Sequence, residues 1–283
     1  MKIGVSSYSF HKYKNATGCD LFAVIDKACE IGFQGIEFLD LKYYTEEEDK
    51  IAYAKKIREY CAEKGIEIPA YTVTSNLIAD NVEEVVEGLF RNVDIAEALG
   101  ASLMRHDVTF ALKKEPLYTY KTAIAEMVPH IRRVADYAES KGIRTCMENH
   151  GRVFQHPKIV EELILAVNHK NFGWLVDMGN FVGVDVDPSD AFAIAAPYAF
   201  HVHAKDILWK KGTEIQPDGF SVTNGGNYNA GTVLGYGMVP IQSCVNALKR
   251  VGYDGYVSLE FEGLEECIPA VQAGYNYLKK VIQ

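Results

Sequence analysis

Four side chains of chemically useful type stand at or near the C-terminal ends of short β-like runs: Glu148 in TCMENH, Asp177 in WLVDMGN, His203 in FHVHAKD and Glu260 in VSLEF. Three carboxylates and one imidazole make a mostly hard-oxygen donor set, which suits a single divalent cation, manganese first, with Mg, Co or Zn as alternatives. Taken singly, each acid is most simply a helix N-cap or a surface charge. Three acids and a histidine at four consecutive strand ends are hard to explain that way, because three carboxylates buried together need a cation to neutralise them.

The elements that would position them alternate. IGVSSY, GIEFLD, IEIPAYTV, ASLMRHDV, IRTCMENHG, FGWLVDMGN, AFHVHAKD and DGYVSLEFEG read as strands. Between them run helix-like segments, among them DLFAVIDKACEIG and VEEVVEGLFRNVDIAEALG, and stretches near 118–141, 157–167, 188–196 and 266–282. Apolar residues recur in them at helical spacing and several stop at glycine. The acidic run starting at Glu46 reads as the solvated first turn of EEEDKIAYAKKIREYCAEKG. Eight strand–helix units predict an α/β fold in which a parallel sheet closes into a (β/α)8 TIM barrel, one domain over 1–283. A doubly wound open sheet is disfavoured, since SSYSFHK after the first strand has no phosphate-binding glycine fingerprint. The seventh strand opens a Gly/Asn-rich loop, 207–238, long enough to be a lid or binding element.

With 48% hydrophobic and 24% charged residues the 283-residue chain has the balance of a globular protein with a large core. A net charge of −9 argues against a nucleic-acid or anionic-membrane partner. The six cysteines are scattered without a CxxC pair, which points to reduced thiols. Neither a signal-type leader nor a membrane span is read in the sequence, so a cytoplasmic protein is expected.

The eight-unit layout together with ENHG, VDMGN, HVHAKD and LEFEG resembles the sugar phosphate isomerase/epimerase family. These are the xylose isomerase-like barrels, which include ketose 3-epimerases, inosose dehydratases and endonuclease IV. The resemblance spans essentially the whole chain. It implies that Glu148, Asp177, His203 and Glu260 are the metal ligands and that Glu148 and Glu260 double as an acid/base pair. The chemistry of the residues agrees: a metal on a sugar carbonyl and its neighbouring hydroxyl stabilises an enediolate, and two facing carboxylates take and return the proton. The substrate expected is a small sugar or keto-polyol, and the reaction an isomerisation or epimerisation. A dehydratase or lyase acting on a keto-sugar or keto-inositol begins with the same proton abstraction and is the alternative. An endonuclease IV-like enzyme and a non-catalytic sugar-binding barrel rank lower. Two departures stand out: Asn180 occupies a position where ketose epimerases carry His, and LGYG places Tyr236 where many relatives have an acid. Whether the chain forms a homo-oligomer is left open.

Further candidates face the same mouth if the barrel is right. His106, His150 and Asn180 are candidates for binding substrate hydroxyls, with a backbone-bonded loop histidine as the plain alternative for the first two. Lys205 either holds a substrate oxygen or pairs with Asp206. Glu37, closing the second strand, is expected to face the pocket. His201 shares the face of His203 and should lie deeper as a hydrogen-bonded core residue. Trp209, Phe220 and Tyr228 on the long loop, and Tyr8 and Phe10 after the first strand, are candidates for an apolar cover.

Overall fold

Short apolar runs become the strands of one closed sheet, and the helices between them return the chain to its other end. The computed structural model describes residues 1–213 and 215–283. The barrel strands are β1 (Lys2–Ser6), β2 (Gly35–Leu39), β3 (Tyr71–Val73), β4 (Leu103–His106), β5 (Arg144–Glu148), β6 (Phe172–Asp177), β7 (Ala199–Ala204) and β11 (Tyr256–Leu259). They close in the order β1-β11-β7-β6-β5-β4-β3-β2, and every neighbouring pair is parallel. Their C-terminal ends therefore gather on one face, where the functional residues of such barrels sit.

The helices are α1 (His11–Thr17), α2 (Leu21–Ile31), α3 (Lys50–Lys64), α4 (Val82–Leu99), α5 (Tyr120–Ser140), α6 (Pro157–Val167), α7 (Pro188–Ala195), α8 (Ile241–Arg250) and α9 (Cys267–Ile282). Local chemistry sets their ends. Asp20 and Asp49 accept the backbone N–H groups of Ala23 and Ala52 as N-caps. Gly65 and Gly100 end α3 and α4 at φ 72° and 74°, where a Cβ would be strained. The acidic run from Glu46 to Glu48 lies before α3 rather than in its first turn, because Asp49 is the residue that caps it. β3 is shorter than the sequence suggests: Glu67 makes only an isolated bridge to Gly35, and Pro69 has no N–H to give a ladder. The helix α1, which follows the first strand after a 3-10 turn (Ser7–Phe10), is an element the sequence reading did not separate.

The segment 207–238, of which Glu214 lies outside the described residues, is not a plain loop. β8 (Asp206–Lys210), β9 (Ser221–Val222) and β10 (Tyr228–Thr232) form an antiparallel sheet in the order β8-β10-β9. Asp206 fixes its base, accepting N–H bonds from Ile207 (2.8 Å), Gly235 (2.8 Å), Gly237 (2.9 Å) and Val239 (3.0 Å). Its far turn is tied to the segment after β6: Asp185 accepts from Thr223 Oγ1 (2.8 Å) and Asn227 Nδ2 (2.7 Å), and Asn224 N donates to Gly183 O (3.0 Å). No helix among the described residues is long and apolar enough to cross a membrane.

Candidate metal centre

Strand register brings the four end-of-strand residues together. Asp177 and His203 are direct partners between β6 and β7, Glu148 ends β5, and Glu260 N donates to Ala204 O at 3.0 Å just beyond β11. One ligand atom from each of Glu148, Asp177, His203 and Glu260 falls within 4.8 Å of all the others. His203 Nδ1 lies 3.7 Å from Glu148 Oε1, 3.8 Å from Asp177 Oδ2 and 3.5 Å from Glu260 Oε1. Neither His203 Nδ1 nor Asp177 Oδ2 makes a hydrogen bond, although both are buried. A buried imidazole nitrogen and a buried carboxylate oxygen that make no hydrogen bond, the oxygen meeting only the Lys205 ammonium at 3.2 Å, are costly. Two of them converging with two more carboxylates fit a divalent cation.

The surroundings orient these ligands. Asp177 Oδ1 accepts from Gly179 N (2.7 Å) and Asn180 N (2.8 Å), which turns Oδ2 toward the cluster. Asn149 locks the strand ends behind it, accepting from Trp174 Nε1 (3.0 Å) and Asp177 N (2.9 Å) and donating to Asp177 O (2.9 Å). His203 Nε2 and His201 Nε2 each lie 2.5 Å from an oxygen of Glu37. Glu37 is thus a buried bracket beneath the cluster and not a residue of the pocket wall. Its inward position on β2 was legible, but the two histidines below the mouth engage both of its oxygens. His201 is the hydrogen-bonded core residue expected.

Two buried cations offset part of the charge. Lys205 Nζ stands 2.7 Å from Glu260 Oε2, 3.2 Å from Asp177 Oδ2 and 3.1 Å from Glu262 Oε2. Arg105 pairs with Glu148 through Nη2 and with Asp107 through Nη1 at 3.3 Å. Burial raises the carboxyl of Glu260, but Lys205 and His203 outweigh it and hold the group at about 2. Glu148 is likewise held well below the usual range, burial being overcome by Arg105 and His203. Asp177 goes the other way: burial, with the charges of Glu260 and Glu148, pushes it up to about 7 against the pull of Lys205.

A cavity of about 470 Å3 opens above the cluster, with Glu148, Glu260, Lys205, His150 and Tyr8 in its lining. Asn180 lines an adjoining cavity of about 320 Å3 that shares Tyr8 and Glu262. It joins the cluster by donating to Glu148 Oε1 (3.0 Å) and accepting from Lys205 Nζ (3.3 Å). His150 Nδ1 is 3.4 Å from Asp107 Oδ1, and its protonation is raised: burial opposes the charge, but the Asp107 bond and Glu148 prevail.

Several sequence candidates lie elsewhere. His106 is fully buried with Nδ1 bonded to Asp107 O (3.0 Å), and its ring packs near Phe172. Its strand neighbour Arg105 is the one in the cavity, because successive side chains take opposite faces. Trp209 pairs with Asn229 in the small sheet and is part of neither cavity lining. Phe10 is wholly buried in the core instead of forming a pocket wall. Lys205 pairs with the cluster acids and not with Asp206, whose oxygens hold backbone N–H groups. Arg105, Asp107, Glu262 and Asn149 were missed. Glu262 shares the strand parity of Glu260, a usable signal, whereas nothing local marks Asn149.

The profile of the Xylose isomerase-like TIM barrel family matches residues 25–281. Inosose dehydratase from Lacticaseibacillus casei is 23% identical over 249 residues, 84% of this chain and 80% of that protein. D-psicose 3-epimerase from Clostridium cellulolyticum H10, crystallised with D-tagatose, superposes with a TM-score of 0.76 at 16% identity, covering 100% of both chains. The IOLI protein, solved with a bound zinc atom, superposes with a TM-score of 0.75 at 15% identity, covering 100% of this chain and 98% of that one. With the closed barrel in place and the family profile spanning almost its entire length, the chain belongs to the Xylose isomerase-like TIM barrel family.

Proposed function

We propose that the chain is a divalent-metal-dependent enzyme that removes a proton from the carbon beside a carbonyl of a sugar or keto-polyol. Glu148, Asp177, His203 and Glu260 are its ligand set, and manganese is the preferred ion. The observation that carries this reading is the convergence of two buried atoms that make no hydrogen bond, His203 Nδ1 and Asp177 Oδ2, with two more carboxylates. Held there, the cation would supply Lewis acidity to the carbonyl oxygen.

The chain's own groups divide the remaining work. Glu148 and Glu260 are kept ionised by Arg105 and Lys205, so either is a competent proton acceptor at neutral pH. Asn180 steadies Glu148 through Oε1. The Lys205 ammonium offers a donor to a substrate oxygen that gains charge. Two opposed carboxylates serve epimerisation or isomerisation, one taking the proton and the other returning it.

Dehydration is a second reading, favoured by a specific observation. Lys205 is a buried, proton-bearing group beside Glu260, placed to assist a departing hydroxyl, and Asn180 stands where ketose epimerases carry His. The likeness to inosose dehydratase supports it equally. Metal analysis of the purified protein and its His203→Ala variant tests the site, with a single ion expected only in the first. Product NMR in deuterated water then separates the outcomes: deuterium at carbon without loss of water means epimerase or isomerase, and loss of water means dehydratase. No metal in the wild type after incubation with each ion overturns the reading.

A further inference from the structure

We infer that the keto-sugar handled at the carboxylates carries a second neutral, hydroxylated ring, seated in the chamber of about 320 Å3 beside the main cavity. This rests on the function proposed above and narrows its substrate class to an unphosphorylated keto-disaccharide. The chamber lies between the small sheet and the segments that follow β1, β6 and β11. Tyr8 and Glu262 line both it and the main cavity, so the two meet at those side chains. Lys205 ties Glu262 to the reacting acids, its Nζ standing 3.1 Å from Glu262 Oε2 and 2.7 Å from Glu260 Oε2. A unit linked to the reacting ring therefore enters the chamber past Glu262. The volume stands at the lower end of the roughly 300–1,000 Å3 typical of small-molecule sites, which leaves room for one added ring.

The lining selects the class of that unit. Strand register sets Asn229 opposite Ser221 and Gly231 opposite Ile207, so Asn229, Ser221 and Ile207 share the face of the small sheet that is turned to the barrel. Among the described residues that line the chamber there is no Lys, Arg or His, and the one acid is Glu262, which disfavours a phosphate or carboxylate. Lys205 already meets the charge of Glu262, so a cation is not called for either. Only Ile207 and Ala230 bring aliphatic side chains and only Tyr8 a ring, too little to hold an apolar group. Gln155 and Asn180 are spoken for: Gln155 accepts from Arg152 N at 2.9 Å and donates to Asn180 O, and the Asn180 amide is held between Glu148 and Lys205. The Asn229 amide and the hydroxyls of Ser221 and Tyr8, by contrast, make no hydrogen bond with any described residue. Donors and acceptors left open around one small chamber match a ligand that supplies both, as sugar hydroxyls do.

The test is calorimetric titration of the manganese-loaded protein with fructose, fructose 6-phosphate and four glucosyl-fructoses that differ only in linkage: turanose, maltulose, leucrose and isomaltulose. At least one linkage is expected to bind about tenfold tighter than fructose or more, as a few added hydrogen bonds imply, while the phosphate brings no gain. That preference should fall to within about twofold of parity in Asn229→Leu, with melting curves showing the variant folded. Should Asn229→Leu unfold, Ser221→Ala on the exposed β9 carries the same comparison, with a loss of about threefold expected. No gain at any linkage, fructose 6-phosphate binding tightest, or a gain that the folded variant leaves intact would overturn the inference. The proposed function fails separately: a two-ring preference without retained metal removes that reading, and metal retention with proton exchange on fructose but no two-ring preference removes only this one.

Discussion

Glu37 Oε1 and His203 Nε2 lie 2.5 Å apart on the edge of the imidazole opposite the three carboxylates. By accepting a hydrogen bond from Nε2–H, Glu37 leaves Nδ1 as the nitrogen that faces the cluster; burial opposes the charge on His203 but Glu37 and Glu260 hold its protonation well above the ordinary imidazole range, and a cation would take the place of the Nδ1 proton. Glu37 itself stays ionised despite its burial, because the two imidazoles of His203 and His201 outweigh the desolvation. Glu37→Gln keeps the shape and removes the charge. Metal affinity should fall about 10–100-fold, the usual effect of losing a partner behind a ligating histidine, as read by competition with a fluorescent chelator.

Lys205→Met removes the cation shared by Asp177, Glu260 and Glu262. The Glu260 carboxyl, held at about 2 with Lys205 as the strongest force against burial, should rise. The acidic limb of the rate profile should move to higher pH, and kcat should drop about a hundredfold or more, the range for a lost acid/base partner. A variant with an unchanged profile would leave Lys205 outside the chemistry.

Asp177 and His203 both shape the pH dependence of metal binding, since Glu37 and Glu260 keep His203 protonated well above its ordinary range against the effect of burial. The folded value of Asp177, about 7, lies above its unfolded one, so ionising it costs the metal-free protein stability as pH rises through 7. A cation needs the ionised form, and binding below pH 7 must expel the proton. Metal affinity should therefore climb between pH 5 and 8, and the gap between metal-loaded and chelator-treated melting temperatures should widen over the same window. A pH-independent gap would contradict this assignment.

Asp206→Ala would leave the backbone N–H groups of Gly235, Gly237 and Val239 without their acceptor. A loss of roughly 2–4 kcal/mol is expected from exposed or unpaired buried donors. Limited proteolysis should then cut within 207–238 before the barrel unfolds, and denaturant melts measure the loss.

His106→Leu is expected to be nearly silent in kcat and KM, while Arg105→Leu is not. The His106 ring is buried away from the cavity with its Nε2 unpartnered, so an apolar replacement of similar bulk loses little. Arg105 is the buried counter-charge of Glu148, and removing it strands a carboxylate. Steady-state kinetics on the two variants distinguish the two faces of β4.

The sequence by itself determined the alternation of strand and helix, the closure into eight units, and the placement of Glu148, Asp177, His203 and Glu260 at consecutive strand ends. These are local matters: strand period, helix caps and the residue on which a run stops are written in neighbouring positions. The tertiary structure alone decided which of Arg105 and His106 enters the mouth, since parity fixes that they oppose each other but not which face is inward. It also decided that Glu37 lies beneath His203, that Asn149 clamps Asp177, and that a Gly/Asn-rich stretch folds as a small sheet pinned by Asp206 and Asp185. The contacts that fix them join residues 28 or more positions apart, up to the 166-residue separation of Glu37 and His203. No periodicity within one segment records a contact made across the barrel.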